Sequence, residues 1–372
     1  MNMIKRYLQD QAESDLNKKM VFISGPRQVG KTTLGKALLS NPLSYLNWDI
    51  PSHREAILKR ELPLTDIWCF DEIHKYKAFR DYLKGVYDEF HNDHKILVTG
   101  SARLDMLRKS GDSLQGRFHH LRLHPLSVKE LAITKEQDML QLLNLGGFPE
   151  PFFSKSRIQA KRWSTEYRSL LVNQESVSIE TISDLSKLEL LSLRLPELVG
   201  SPLSLNALRQ DLQIAHKTIS RWITILENIY MIYRIAPFGS PLIRAVNKEQ
   251  KHYHFDWSLV PETGARFENM VASHLLKWVH YQRDLLGEQM ELRYFRDTDK
   301  REVDFCITKD LKPIMFIECK WKEDSTSPHL YYLQKKFPCA QFYQVSATGK
   351  KQFINKKNII HMPAVNFLNK FV

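Results

Sequence analysis

The sequence predicts a mixed α/β chain in three parts. Over residues 1–145 short apolar runs alternate with helical patterns, which argues for a parallel sheet with crossover helices. From Ile158 to Ile235 the pattern is helical throughout, and from about Tyr253 strands return, joined by one long helix near Ala265–Tyr281. The domains expected are therefore 1–145, 146–240 and 241–372, the first boundary falling at the breaker-dense Gly146-Gly147-Phe148-Pro149-Glu150-Pro151.

Each element of the first part has its own signal. The candidate strands are Met20–Ser24, Ser44–Trp48, Ile67–Phe70, Lys95–Thr99 and His120–Leu123, all short and apolar. Between the first strand and a helix-like Thr33–Leu39 lies Gly25-Pro26-Arg27-Gln28-Val29-Gly30-Lys31-Thr32, a complete G-x-x-x-x-G-K-[ST] pattern. In that context successive backbone N–H groups converge on one spot and stabilise an anion. The expected cradle for a nucleoside triphosphate is Gly25 to Lys31 with Thr32 and Thr33. Lys31 reaches the β/γ-phosphates, and the Thr32 hydroxyl holds Mg²⁺.

Ile67-Trp68-Cys69-Phe70-Asp71-Glu72 is an apolar strand ending in two carboxylates. Asp71 is placed to hold Mg²⁺ and Glu72 to orient and deprotonate the attacking water; the plainer alternative is a pair capping the next helix. The strand Lys95-Ile96-Leu97-Val98-Thr99-Gly100-Ser101 ends in hydroxyls, of which Ser101 or Thr99 could contact the γ-phosphate. Arg117, in Leu114-Gln115-Gly116-Arg117, could reach a neighbouring subunit's γ-phosphate as an arginine finger or simply form a surface salt bridge.

A second constellation lies near the end of the chain. Arg301 to Ile307 alternates as a half-buried strand, Lys309 to Pro313 is turn-like, and Ile314 to Trp321 is a second strand. A hairpin this short brings Asp304 beside Glu318, with Lys320 on the same face as Glu318. Two carboxylates and a lysine are costly to bury together without a metal or a role. Asp304 and Glu318 could hold Mg²⁺ or Mn²⁺, with Lys320 positioning the attacking water and Glu268 on the long helix adding a carboxylate. In the middle, Ser204–Leu212 and His216–Leu226 have helix-turn-helix layout, with His216, Lys217, Thr218, Ser220 and Arg221 on the exposed side. Met231 to Phe238 could form a wing, for contact with DNA or with protein.

Composition narrows the setting. The chain has 372 residues, 43% of them hydrophobic, and 54 Lys+Arg against 42 Asp+Glu give a net charge of +12. No acidic residue follows Asp324, whereas seven lysines do, from Lys335 to Lys370. The balance suits a polyanionic partner, most simply nucleic acid, or a solvated basic face. Met1–Asp15 lacks an apolar signal core and reads as an amphipathic helix. No window reaches the ~18 apolar residues of a membrane span, so the expected setting is the cytoplasm without a membrane partner. Cys69, Cys306, Cys319 and Cys339 show no C-x-x-C spacing and read as buried reduced thiols.

Taken together, these residues resemble the bacterial and archaeal AAA+-type P-loop ATPases that carry a C-terminal domain of long-unknown function. The resemblance runs nearly end to end. It rests on Gly25 to Thr33, Phe70-Asp71-Glu72-Ile73-His74, Thr99-Gly100-Ser101, Leu114 to Arg117, the Gly146–Pro151 boundary and Tyr253-His254-Phe255-Asp256. It implies a RecA-like ATPase core, a helical and winged-helix middle, and a restriction-endonuclease-like end carrying the D…(D/E)-x-K pattern as Asp304, Glu318 and Lys320. It also implies a ring-like homo-oligomer, with Arg117 completing a neighbour's site. The leading expectation is an ATP-hydrolysing enzyme that translocates or remodels DNA and carries a metal-dependent nuclease-like end. The alternatives are a DNA motor whose nuclease fold is silent, and a nucleotide-dependent switch binding protein partners.

Overall fold

The computed structural model describes residues 4–100, 114–176, 184–239 and 250–372. The chain divides into two compact units, Met1–Pro125 and Leu126–Val372. The breaker cluster at 146–151, where the sequence suggests a first boundary, lies inside the second unit at the junction of two helices.

In the first unit, β1 (Met20–Ser24), β2 (Tyr45–Asn47), β3 (Ile67–Asp71), β4 (Lys95–Thr99) and β5 (Phe118–Arg122) form one sheet in the order β2-β3-β4-β1-β5. Every pairing is parallel. β1 and β3 are buried at every position, as strands covered on both faces must be, and this is why they read as unbroken apolar runs. The helices are α1 (Gln9–Leu16), α2 (Lys31–Ala37), α3 (Pro51–Lys59) and α4 (Phe79–Phe90). Phe79, Tyr82, Leu83 and Val86 repeat at helical spacing on the buried face of α4. They share a core with Phe22, Phe70 and Val98.

The second unit opens with helices: α5 (Glu136–Leu145), α6 (Pro149–Ser154), α7 (Arg157–Leu170), α8 (Leu185–Arg194), α9 (Leu205–Asp211) and α10 (His216–Asn228). The Ser204 hydroxyl caps α9 by accepting from Ala207 N–H at 3.3 Å. On α10, Ile219, Trp222, Ile223 and Leu226 are buried, while His216, Lys217 and Arg221 are exposed. The helical run ends in β6 (Ile232–Ile235), which pairs antiparallel with β7 (Lys251–His254).

α11 (Thr263–Leu286) leads into a six-stranded sheet formed by β8 (Met290–Arg296), β9 (Glu302–Lys309), β10 (Lys312–Lys322), β11 (Gln341–Thr348), β12 (Phe353–Ile354) and β13 (Ile359–Pro363). Its order is β12-β13-β11-β10-β9-β8. Asp310 and Leu311 both have positive φ, the backbone of a two-residue hairpin turn, and set β9 antiparallel to β10. β11 runs parallel to β10, which requires a crossover, supplied by α12 (Pro328–Lys336). Phe316 stacks on Phe342 at 5.3 Å between ring centroids, within a core that includes Leu330 and Leu333 of α12. α13 (Ala364–Leu368) closes the chain. Among the described residues no helix is long and apolar enough to cross a membrane. All four cysteines are free: Cys69 and Cys306 are buried as expected, whereas Cys319 is half-buried and Cys339, in the turn after the helix that ends at Lys336, is exposed.

Candidate functional site

Two clusters stand apart chemically, one in each unit. The first lies at the C-terminal ends of β1, β3 and β4. Gly25 leaves β1 at φ +147°, and a Cβ there would fall 2.2 Å from the carbonyl oxygen of Leu123, so only glycine fits. Gly30 enters α2 at φ +101°. Arg6 is buried and braces this loop, donating to Val29 O at 2.7 Å and to His124 O at 2.5 Å. Lys31 is 6% exposed, and its ammonium donates to Gly25 O at 2.9 Å and Pro26 O at 2.6 Å.

Asp71, at the end of β3, is the hub. Its Oδ2 accepts from Thr32 Oγ1 at 2.8 Å and from the Tyr45 hydroxyl at 2.7 Å. Its Oδ1 accepts from Thr99 Oγ1 at 2.6 Å. The parallel register that sets Asp71 opposite Thr99 makes the last contact inevitable. Burial first, and then the bond to Asp71, push the Tyr45 hydroxyl well above its ordinary range. Glu72 follows in a left-handed conformation at φ 57°, its carboxylate 3.2 Å from the Lys75 ammonium.

These contacts sort the residues singled out in the sequence. Thr32 and Asp71 are in contact, and of the two hydroxyls on the β4 side Thr99 reaches Asp71; Ser101 lies outside the described residues. Val29 is buried, Arg27 is half-buried, and Gln28 and Thr33 are exposed. Arg117 donates twice to Asp88 of α4, at 2.7 and 3.2 Å, on its own unit. The oxygens of Thr32 and Asp71 form a hard pair that fits Mg²⁺.

The second cluster joins β7, α11, β9 and β10. Asp304 Oδ2 accepts from Cys319 N–H at 2.8 Å. The Lys320 ammonium is 2.9 Å from Glu318 Oε1. Glu318 Oε2 is buried with no hydrogen-bond partner. Glu268 Oε1 accepts from the Tyr253 hydroxyl at 2.7 Å. Lys251, 1% exposed, reaches three carboxylates: Glu302 at 2.7 Å, Glu268 at 3.4 Å and Asp304 at 3.9 Å.

Charge crowding marks the cluster. Burial and then the Asp304 charge push the Glu268 carboxyl up to about 8 and the Glu318 carboxyl up to about 7. Burial also raises Asp304. Burial alone lowers Lys251, but Glu268, Asp304 and Glu302 outweigh it and hold the ammonium charged. The oxygens suit a hard divalent ion, and the bare Glu318 oxygen could accept one. However, Glu268, Glu302 and Asp304 already hold an ammonium, and among the described residues no group of three or more His, Cys, Asp or Glu is arranged to hold a metal ion. As built, the cluster does not fit a divalent metal.

Sequence reasoning missed Arg6, Tyr45 and Lys251. Lys251 had a signal, because Lys251, Tyr253 and Phe255 alternate in a strand-like run that places the lysine on the same side as two aromatic residues.

Residues 17–132 match the family model described as an AAA domain. Residues 136–266 and 263–365 match two models described as domains of unknown function, DUF8612 and DUF4143. An uncharacterized protein of Mycobacterium tuberculosis is 22% identical over 80% of this chain and 69% of its own length. An uncharacterized protein of Haemophilus influenzae is 22% identical over 84% of this chain and 85% of its own. Among solved structures, a Walker-type ATPase of Pyrococcus abyssi is similar at 15% identity and a TM-score of 0.47, covering 72% of this chain and 96% of that one. The AAA-domain match, together with the parallel sheet and the loop at 25–32, supports an AAA-type ATPase domain at the front of the chain.

Proposed function

We propose that this protein hydrolyses ATP at the loop of residues 25–33 and uses the cycle to move along or remodel DNA, its second unit gripping the DNA without cutting it. The observation that carries the ATP site is the convergence of Thr32, Tyr45 and Thr99 on Asp71 beside a buried Lys31. With nucleotide bound, Lys31 exchanges two loop carbonyls for phosphate oxygens, and the backbone from Gly25 to Thr33 cradles the phosphates. Thr32 and Asp71 would hold Mg²⁺, which would neutralise phosphate charge. Glu72 orients and deprotonates the water. Thr99 takes the sensing place beside Asp71, a role Ser101 would share. Arg117 acts on a neighbour's nucleotide in a ring only after leaving Asp88.

Support for DNA comes from the net charge of +12 and from the exposed His216, Lys217 and Arg221 of α10. Lys251 among the carboxylates favours gripping over cutting. Cutting, with Glu268, Asp304 and Glu318 around Mg²⁺ or Mn²⁺ and Lys320 beside the water, draws on the bare Glu318 oxygen. It requires Lys251 to be displaced.

The test is ATP turnover with and without duplex and branched DNA over a salt series, scored also for cleavage. Stimulation that falls steeply with salt, without cleavage, is expected, because phosphate contacts release counterions. Turnover indifferent to every DNA would overturn the DNA reading and leave a nucleotide-dependent switch.

A further inference from the structure

The lysine on β7 supplies a buried positive charge to the carboxylate cluster. Its ammonium lies among one carboxylate of α11 and two of β9, at 2.7–3.9 Å, and 5.6 Å from the Tyr294 ring centroid. A buried lysine is tolerated only where counter-charges surround it. Two of these counter-charges, Glu268 and Asp304, are carboxylates that would ligate a metal. Asp304 has one oxygen on Cys319 N–H and the other facing Lys251, while Glu268 Oε1 serves both Tyr253 and Lys251. Glu318 Oε2 is buried with no hydrogen-bond partner.

We infer that Lys251 is the resident cation of the carboxylate cluster: its tethered ammonium fills the place of a divalent ion, keeps the site metal-free, and masks a latent Mn²⁺ or Mg²⁺ site formed by Asp304, Glu318 and Glu268. This rests on the reading that the second unit does not cut, and supplies its cause. A divalent ion on Asp304 Oδ1 would lie within a few ångströms of a fixed positive charge that cannot dissociate, and at low local dielectric that repulsion is strong. An ordinary buried ion pair would alter stability alone when removed. A resident cation also controls whether metal binds.

The experiment is a Mn²⁺ titration of the nucleotide-free full chain, following free Mn²⁺ by electron paramagnetic resonance. Wild type and Asp304→Asn should take up Mn²⁺ equally. Lys251→Met should gain one Mn²⁺ per chain, and Lys251→Met combined with Asp304→Asn should lose it again. Should Lys251→Met fail to fold, Lys251→Gln replaces it. A Mn²⁺ ion held by wild type and lost in Asp304→Asn overturns the inference, as does a folded Lys251 variant that gains none. DNA-stimulated ATP turnover is read separately, so failure of the motor reading is distinguishable from failure here.

Discussion

Thr32 and Asp71 stand 39 residues apart in sequence and share a hydrogen bond of 2.8 Å. One lies in the first turn of the helix after the glycine loop and the other ends a buried strand, so the fold itself brings the two proposed Mg²⁺ ligands together. Asp71→Asn keeps the shape but weakens the metal's carboxylate partner. It should bind ATP, require more Mg²⁺, and turn over about 10²–10³-fold more slowly. A Mg²⁺ titration of ATP turnover checks this.

Glu72 follows Asp71 with its carboxylate near Lys75. Glu72→Gln should bind ATP as wild type does and slow hydrolysis by about 10²–10⁴-fold, the usual worth of a positioned general base. Single-turnover hydrolysis beside an equilibrium binding curve separates the two effects. Unchanged hydrolysis would return Glu72 to a capping role.

Gly25→Ala should damage the loop directly, since the added Cβ would meet Leu123 O at 2.2 Å and the backbone is at φ +147°. A loss of ~2 kcal/mol or more is expected, with weakened nucleotide binding. Denaturant unfolding with and without ATP measures both. Unaltered stability would mean that the loop and the chain after β5 separate at little cost.

Much of the first unit is legible in the sequence because parallel strands buried on both faces leave nearly continuous apolar runs, as in Met20–Ser24 and Ile67–Asp71. The order β2-β3-β4-β1-β5 is not, because no local pattern encodes which parallel strands adjoin. The hairpin carrying Asp304 and Glu318 is legible from its period of two. Lys251 comes from a different sheet, and only long-range packing brings it to Asp304. Thr99 and Ser101 are equivalent in the sequence; the register of β4 against β3 puts Thr99 on Asp71.

The carboxyls of Glu268 and Glu318, held up to about 8 and about 7, make a contribution to stability whose pH dependence has a definite sign. Between their ordinary range and those values the folded state binds more protons than the unfolded state. Stability is therefore full below about pH 4.5 for these groups and is lost as pH rises through about 7 to 8. Glu268→Gln removes one of them and should flatten the decline between about pH 5 and pH 8, by an amount on the order of a few kcal/mol. Urea unfolding at the two pH values compares the slopes. A decline as steep in the variant as in wild type would contradict the assignment.

ATP hydrolysis at the Lys31–Thr32–Asp71 site is the central proposal. Steady-state ATP turnover by wild type and Lys31→Ala, at saturating Mg²⁺ and matched folding by circular dichroism, tests it most directly. Turnover in wild type that disappears in Lys31→Ala is the predicted result; equal turnover in both, or none in folded wild type with or without DNA, would contradict it.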